Sequence, residues 1–211
     1  VQGRRPLVDL LREIPTTDGG LLLEPLDELG LRYRTRLSRY NRDATLTLDY
    51  AQNQLSASLD PADDDRFSRN DVTITREGGT FNQQVLESGT MSVQTPPNGI
   101  GRYDTSETIS LRDDGLLADQ AGWRLHLGTV DEARYPGVAI NLRHSTFTGS
   151  VTRMNAALVM DLGDRIDVTN PPAWGAPGTI SGSLEGYTET LGILEHDIVL
   201  NTSPYSPYQI A

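Results

Sequence analysis

The sequence predicts an α+β fold that is mostly β: two small β-barrel-like or β-sandwich-like units carrying a few short helices. Three observations lead there. The chain holds 20 Gly, 12 Pro and 21 Thr in 211 residues, a mixture that favours short strands and many turns over long helices. Apolar residues recur at period two over short runs bounded by Gly, Pro, Asn or Asp. Only three stretches show helical spacing. The length suffices for one large domain or two small ones, with a real core in either case.

The elements follow in order. Pro6–Ile14 reads as a short helix, because Leu7, Leu10, Leu11 and Ile14 share a face and Pro6 suits a first turn. Asp18-Gly19-Gly20 turns the chain. Leu21–Glu24 and Leu31–Leu37 read as a hairpin around Asp27–Gly30. In its second strand Arg32, Arg34 and Arg36 alternate with Leu31, Tyr33, Thr35 and Leu37, which predicts three arginines on one face. That face is either solvated or a contact surface for acidic partners or phosphate. Strands are expected at Thr45–Asp49, Asp71–Arg76, Phe81–Leu86, Thr90–Gln94 and Glu107–Leu111, broken by Pro96-Pro97-Asn98-Gly99. The acidic run Asp60–Asp65 offers the several oxygens that calcium takes, but it lacks the spacing and glycine of an EF-hand loop, so a solvated turn is the default reading.

Leu116–Asp131 changes character. Leu117, Ala121, Leu125 and Gly128 share a helical face, and Asp119 is placed to cap the run. Val138–Leu142 reads as a buried strand and Val151–Leu158 as a short helix. A Leu162-Gly163-Asp164-Arg165 turn then launches Ile166–Thr169, followed by a Pro-rich loop that Trp174 is expected to anchor. Strands at Gly182–Thr190 and Glu195–Thr202 close the unit across a break at Gly192. The Arg112-Asp113-Asp114-Gly115 turn suggests a boundary, giving an N-terminal α+β unit over 1–115 and a C-terminal unit over 116–211.

Composition narrows the chemistry. All 18 basic residues are arginine, so no Schiff-base, P-loop or general-base lysine exists. A GC-rich coding genome is the simplest account of that bias. Cysteine is absent, which removes disulfides, thiol nucleophiles and thiolate metal sites. Net charge is −11, which argues against a general nucleic-acid binder while leaving room for a local basic patch. No apolar run is long enough for a membrane-spanning helix. The chain opens Val1-Gln2-Gly3-Arg4-Arg5, without Met or a signal-peptide pattern, and reads as a piece of a longer polypeptide.

Motifs for catalysis are missing. Gly178-Thr179-Ile180-Ser181-Gly182 has the wrong spacing for a nucleophile elbow. His126, His144 and His196 lie in separate elements without metal-ligand spacing. Paired carboxylates for glycoside hydrolysis meet in space, and no pair stands out in sequence. Trp123, Trp174 and Tyr187 are the candidates for a sugar-stacking platform, although core packing suits Trp123 better. No catalytic, cofactor or metal residue is assigned.

Four segments together carry a resemblance: Val8–Arg36 (VDLLREIPTTDGGLLLEPLDELGLRYRTR), Asn70–Gly79 (NDVTITREGG), Ala118–Pro136 (ADQAGWRLHLGTVDEARYP) and Leu162–Pro204. Their order resembles the minor tail or tail-tip hub-like proteins of siphophages and prophages of high-GC actinobacteria. The resemblance implies a non-enzymatic role in the virion tail, made in the bacterial cytoplasm and without cofactor. It implies β-barrel-like domains that build a ring at the tip of the tail tube, often a trimer. Partners would be other tail proteins and copies of the same chain. Arg32, Arg34, Arg36 and Asp63, Asp64, Asp65 are the candidate ring contacts. Alternatives are a carbohydrate-binding or adhesion module that recognises the host surface, and a glycosidase-like enzyme.

Overall fold

The computed structural model describes residues 6–26, 28–62, 65–175 and 177–210. In chain order its helices and strands are α1 (Leu7–Asp18), β1 (Leu21–Leu23), β2 (Arg32–Arg34), β3 (Ala44–Asp49), β4 (Asp71–Arg76), β5 (Phe81–Val85), β6 (Asp104–Ile109), α2 (Leu117–Gly128), β7 (Gly137–Asn141), α3 (Ser145–Thr148), α4 (Val151–Leu158), β8 (Arg165–Thr169), β9 (Ile180–Leu191) and β10 (His196–Pro204). The fold is mostly β with a few short helices. The described residues form two units that interleave along the chain: those within Val1–Leu22 and Asp64–Glu132, and those within Leu23–Asp63 and Ala133–Ala211. The boundary expected near 112–118 therefore falls inside the first unit.

In the first unit β4 is central, antiparallel to β5 and parallel to β6. Val72 and Ile74 are fully buried and meet Ile109, Leu117 and Ala121. The helical face read from sequence is thus the face that covers this sheet, which is why α2 belongs with the strands that precede it. Gly128 ends that face because the Arg69 backbone passes against it. A Cβ built there would sit 2.5 Å from the Arg69 carbonyl oxygen. Leu116 occupies the N-cap position, and Asp119 lies in the first turn without capping it. Asp113 caps the preceding 3-10 turn instead, accepting from the Gly115 N–H at 3.0 Å.

Thr90–Gln94 is not a strand. Its backbone bonds within a loop, with Val93 N–H to Leu86 O at 3.0 Å and Ile100 N–H to Ser92 O at 3.1 Å. Buried Asn70 ties that loop down. Its Nδ2 donates to the carbonyls of Met91 (3.0 Å) and Gly101 (2.7 Å), and its Oδ1 accepts from Tyr103 N–H (2.8 Å). α1 runs past Pro15 to Asp18 and stops at Gly19, which takes the left-handed conformation (φ 74°). None of its residues is buried.

The second unit is built on a curled five-stranded sheet in the order β3-β8-β9-β10-β7. Leu46, Leu48, Ile140, Ile166, Leu184 and Leu200 fill its core, with Phe147 and Ala157 packed over them. α4 and β4 occupy the bounds read from sequence, while α3 was not expected.

The segment 34–42 is fastened to the end of this sheet by charge. Asp164 is 4% exposed. Its Oδ1 accepts from Arg34 at 2.7 Å and pairs with Arg42 at 3.2 Å, and its Oδ2 accepts from Asp161 N–H at 3.0 Å. Arg39, also buried, donates to Ser183 Oγ (2.8 Å) and Glu185 (3.0 Å) and stacks over the Tyr208 ring at 4.1 Å. Tyr205 donates to Arg39 O and accepts from Arg42 N–H, both at 2.7 Å. The Asn41 side chain holds the Ile210 backbone in both directions.

Four outcomes follow for stability. Gly128→Ala should destabilise by about 1–3 kcal/mol, since the new methyl meets backbone and not a flexible tip. Gly122→Ala, on the same helix with open space around it, should raise stability by about 0.5–1 kcal/mol. Urea denaturation of both variants separates these effects. Asp164→Ala should cost about 3–5 kcal/mol by leaving the largely buried Arg34 side chain, 13% exposed, without its counter-charge. Tyr208 is held neutral by burial, partly opposed by Arg39, and its pKa is pushed up to about 12. The unfolded phenol titrates near its ordinary value of about 10. The stability this group contributes is therefore complete below that value and is lost as pH rises towards about 12. Tyr208→Phe should flatten that part of the alkaline denaturation curve.

Candidate functional site: the uncovered end of the β9–β10 hairpin

β9 is twelve residues long and its neighbour β8 is five. β8 pairs with β9 only over Ile180–Ser183. From Glu185 to Leu191, β9 is paired with β10 on one side, and its other edge meets no strand among the described residues. Such an edge offers a row of free backbone N–H and C=O groups.

A bulge decides what that edge displays. Leu184 stands opposite Thr202, whereas Gly186 stands opposite Asn201. Glu185 is the extra residue on β9, and the alternation of side chains shifts by one beyond it. Tyr187 and Glu189 thus oppose Leu200 and Ile198, and share the core face with Leu184. The core face therefore continues past its cover. An apolar groove of about 210 Å³ lies there, lined by Leu26, Leu158, Met160, Tyr187, Ile198 and Leu200, with Glu189 among its walls. Tyr187 is 40% exposed.

The hairpin tip is apolar as well. Leu191, Ile193 and Leu194 are 74%, 96% and 80% exposed. Gly192 N–H to Glu195 O (2.9 Å) closes the turn, and His196 Nε2 meets Glu189 Oε1 at 2.7 Å across the strands. Three large apolar side chains at one tip, next to an open edge and an apolar groove, make a surface suited to covering by protein. Sequence reading reached both strands and their break but not this surface. The signal was present in Leu191-Gly192-Ile193-Leu194, an apolar run at a turn where polar residues are usual.

The arginines expected on one strand face are dispersed. β2 ends at Arg34, and Arg36 begins a 3-10 turn that Thr35 caps. Arg32 is exposed and pairs with Glu28 at 3.3 Å. Arg34 is turned inward onto Asp164 and the Leu162 carbonyl. Arg36 has its Nε and Nη1 atoms buried. Period two failed here because the strand is three residues long. Asp63 and Asp64 lie outside the described residues, and Asp65 opens a 3-10 turn (Asp65–Phe67).

Trp174, expected to anchor the Pro-rich loop, is 60% exposed, so burial does not anchor it. Trp123 falls in the other unit from Trp174 and Tyr187, and its ring is tilted against His126 at 5.8 Å. Among the described residues no group of three or more His, Asp or Glu is arranged to hold a metal ion. No described helix is long and apolar enough to cross a membrane.

No protein-family model and no curated relative matches the sequence. The fold does match solved structures. The 43 kDa tail protein of prophage MuSo2 from Shewanella oneidensis superposes with a TM-score of 0.55 at 16% identity, over 100% of this chain and 56% of that one. The tail protein from Neisseria meningitidis MC58 superposes with a TM-score of 0.60 at 12% identity, over 100% of this chain and 59% of that one. This chain spans somewhat more than half the length of either. At these identities the likeness is one of fold, and the fold is that of two tail proteins.

Proposed function

We propose that this chain is a structural component of a phage or prophage tail, of the hub or minor tail type, and that it works by assembly and not by catalysis. The observation that carries the reading is the β9–β10 hairpin, with its open edge, its apolar groove and its apolar tip, on a fold shared with two tail proteins. A monomer in solution gains nothing from such a surface, whereas a subunit buries it against its neighbours. The partners are other tail proteins and copies of this chain in a closed ring, a trimer in the simplest case, located in the virion. The all-arginine basic set supports a source among phages or prophages of high-GC actinobacteria. Of the arginines Arg32 remains the contact candidate, because Arg34 already serves inside its own unit. For Asp63, Asp64 and Asp65 the proposal rests on their charge alone.

Sedimentation of the purified chain at rising concentration tests this. Self-association should weaken by tenfold or more, about 1.4 kcal/mol, in the double variant Ile193→Asp, Leu194→Asp. Its melting midpoint should not change, since both side chains are exposed. In parallel, an antibody against the chain should decorate the tip of intact tails. A chain that stays monomeric throughout and is missing from purified tails would sink the proposal.

A further inference from the structure

A second cavity, of about 440 Å³, lies in the same unit, shares no lining residue with the apolar groove, and is lined by Asn53, Gln54, Leu55, Ser56, Asn141, Arg143 and His144. Among the described residues no carboxylate lines it, in a chain of net charge −11. Of its three amides, Gln54 and Asn141 have their oxygens committed. Gln54 Oε1 accepts from Asp49 N–H at 2.9 Å, and Asn141 Oδ1 accepts from the N–H groups of Arg143 (2.8 Å) and His144 (3.1 Å). Those bonds fix which end of each amide is oxygen. They leave two NH₂ groups that make no hydrogen bond among the described residues. The Arg143 guanidinium meets one backbone oxygen, Ile193 O at 3.4 Å, and pairs with no carboxylate among the described residues. His144 Nδ1 lies 2.9 Å from Thr146 Oγ1 and 3.4 Å from Thr146 N, which holds the ring at the cavity wall. The walls are thus rich in donors, with one fixed positive charge and few acceptors.

We infer that this cavity binds a small organic oxyanion, a carboxylate or phosphate group on a polar carrier. Arg143 supplies the charge and the planar donor fork. Asn141 and Gln54 supply neutral donors already oriented by their backbone bonds, so little ordering is needed on binding. The hydroxyl of Ser56 and the face of Leu55 leave room for a carrier such as a sugar or polyol. The inference does not rest on the tail reading and is tested by a different measurement, although Arg143 bonds the Ile193 backbone at the hairpin tip.

Titration calorimetry of the full chain with glucuronate, glycerol phosphate, inorganic phosphate and glucose tests it. Saturable binding of glucuronate or glycerol phosphate, without binding of glucose, is the expected result. Inorganic phosphate binding as tightly as either organic anion would show that the carrier is not recognised and would overturn that part. Asn141→Asp keeps the oxygen that accepts the two backbone N–H groups and replaces the outward NH₂ by oxygen. Arg143→Gln removes the charge from an exposed side chain. Each should weaken binding about tenfold or more at an unchanged melting midpoint. Arg112→Gln, an exposed arginine of the other unit, should bind like the unmodified chain. The inference fails if glucose binds as well as glucuronate, if no anion binds, or if Arg143→Gln binds as the unmodified chain does.

Discussion

The second unit depends on one mismatch: β9 is longer than the strand beside it. Where β8 is present, β9 is an interior strand with both edges paired, and Ser183 and Leu184 are completely buried. Where β8 stops, the same strand becomes half of a two-stranded hairpin. Isolated hairpins are marginal in water and need a further strand or a packed face. The bulge at Glu185 supplies the face, because it turns Tyr187 towards the side on which Ile198 and Leu200 are buried. The hairpin is therefore stable enough to form but not covered enough to be finished. That combination separates an assembly element from a merely long strand.

Charge works in the opposite direction, inward. An exposed arginine–carboxylate pair contributes little. Asp164 is different, because it is buried and meets Arg34 and Arg42 from a segment far away in sequence. Arg39 extends the same arrangement to Glu185 and Tyr208. Glu185 is thus held by Arg39 and by Ser203 Oγ (2.8 Å), at the residue where β9 bulges. The arginines that look in sequence like a display face stabilise the base of the hairpin, and the surface offered to partners is apolar.

Legibility followed locality. β4 and α4 were readable to the residue, because their patterns and their turn or cap signals lie within a few positions. β9 and β10 were readable to within two residues at each end. The apolar face of α2 was readable too, but not the strands it covers, because periodicity names a face and no partner. Asp164 read as a turn residue, and it does follow Gly163 in a turn with φ 79°. Its larger role involves Arg34, 130 positions away, and no local pattern encodes that contact. Alternation predicts Arg36 on the strand face, but the Thr35 hydroxyl caps a 3-10 turn and ends the strand before it. The Glu185 bulge left no mark in the residues, since an inserted position changes register without changing composition.

The interleaving of the two units has a physical basis in the stems of the intervening segment. Ala62 and Arg134 form an antiparallel bridge, with Ala62 N–H to Arg134 O at 2.7 Å and Arg134 N–H to Ala62 O at 3.2 Å. The chain leaves the second unit and re-enters it at a single bridged point. Closing a loop costs entropy that grows only with the logarithm of its length, so doubling the segment adds about 0.6 kcal/mol. An inserted unit of this size is thus tolerated, provided its ends meet. The five-stranded sheet can then combine β3 with β7 to β10 although β4, β5, β6 and α2 intervene in sequence. A division into consecutive pieces would separate β3 from β8, its parallel partner, and leave Leu46 and Leu48 without the Ile166 and Val168 side of their core.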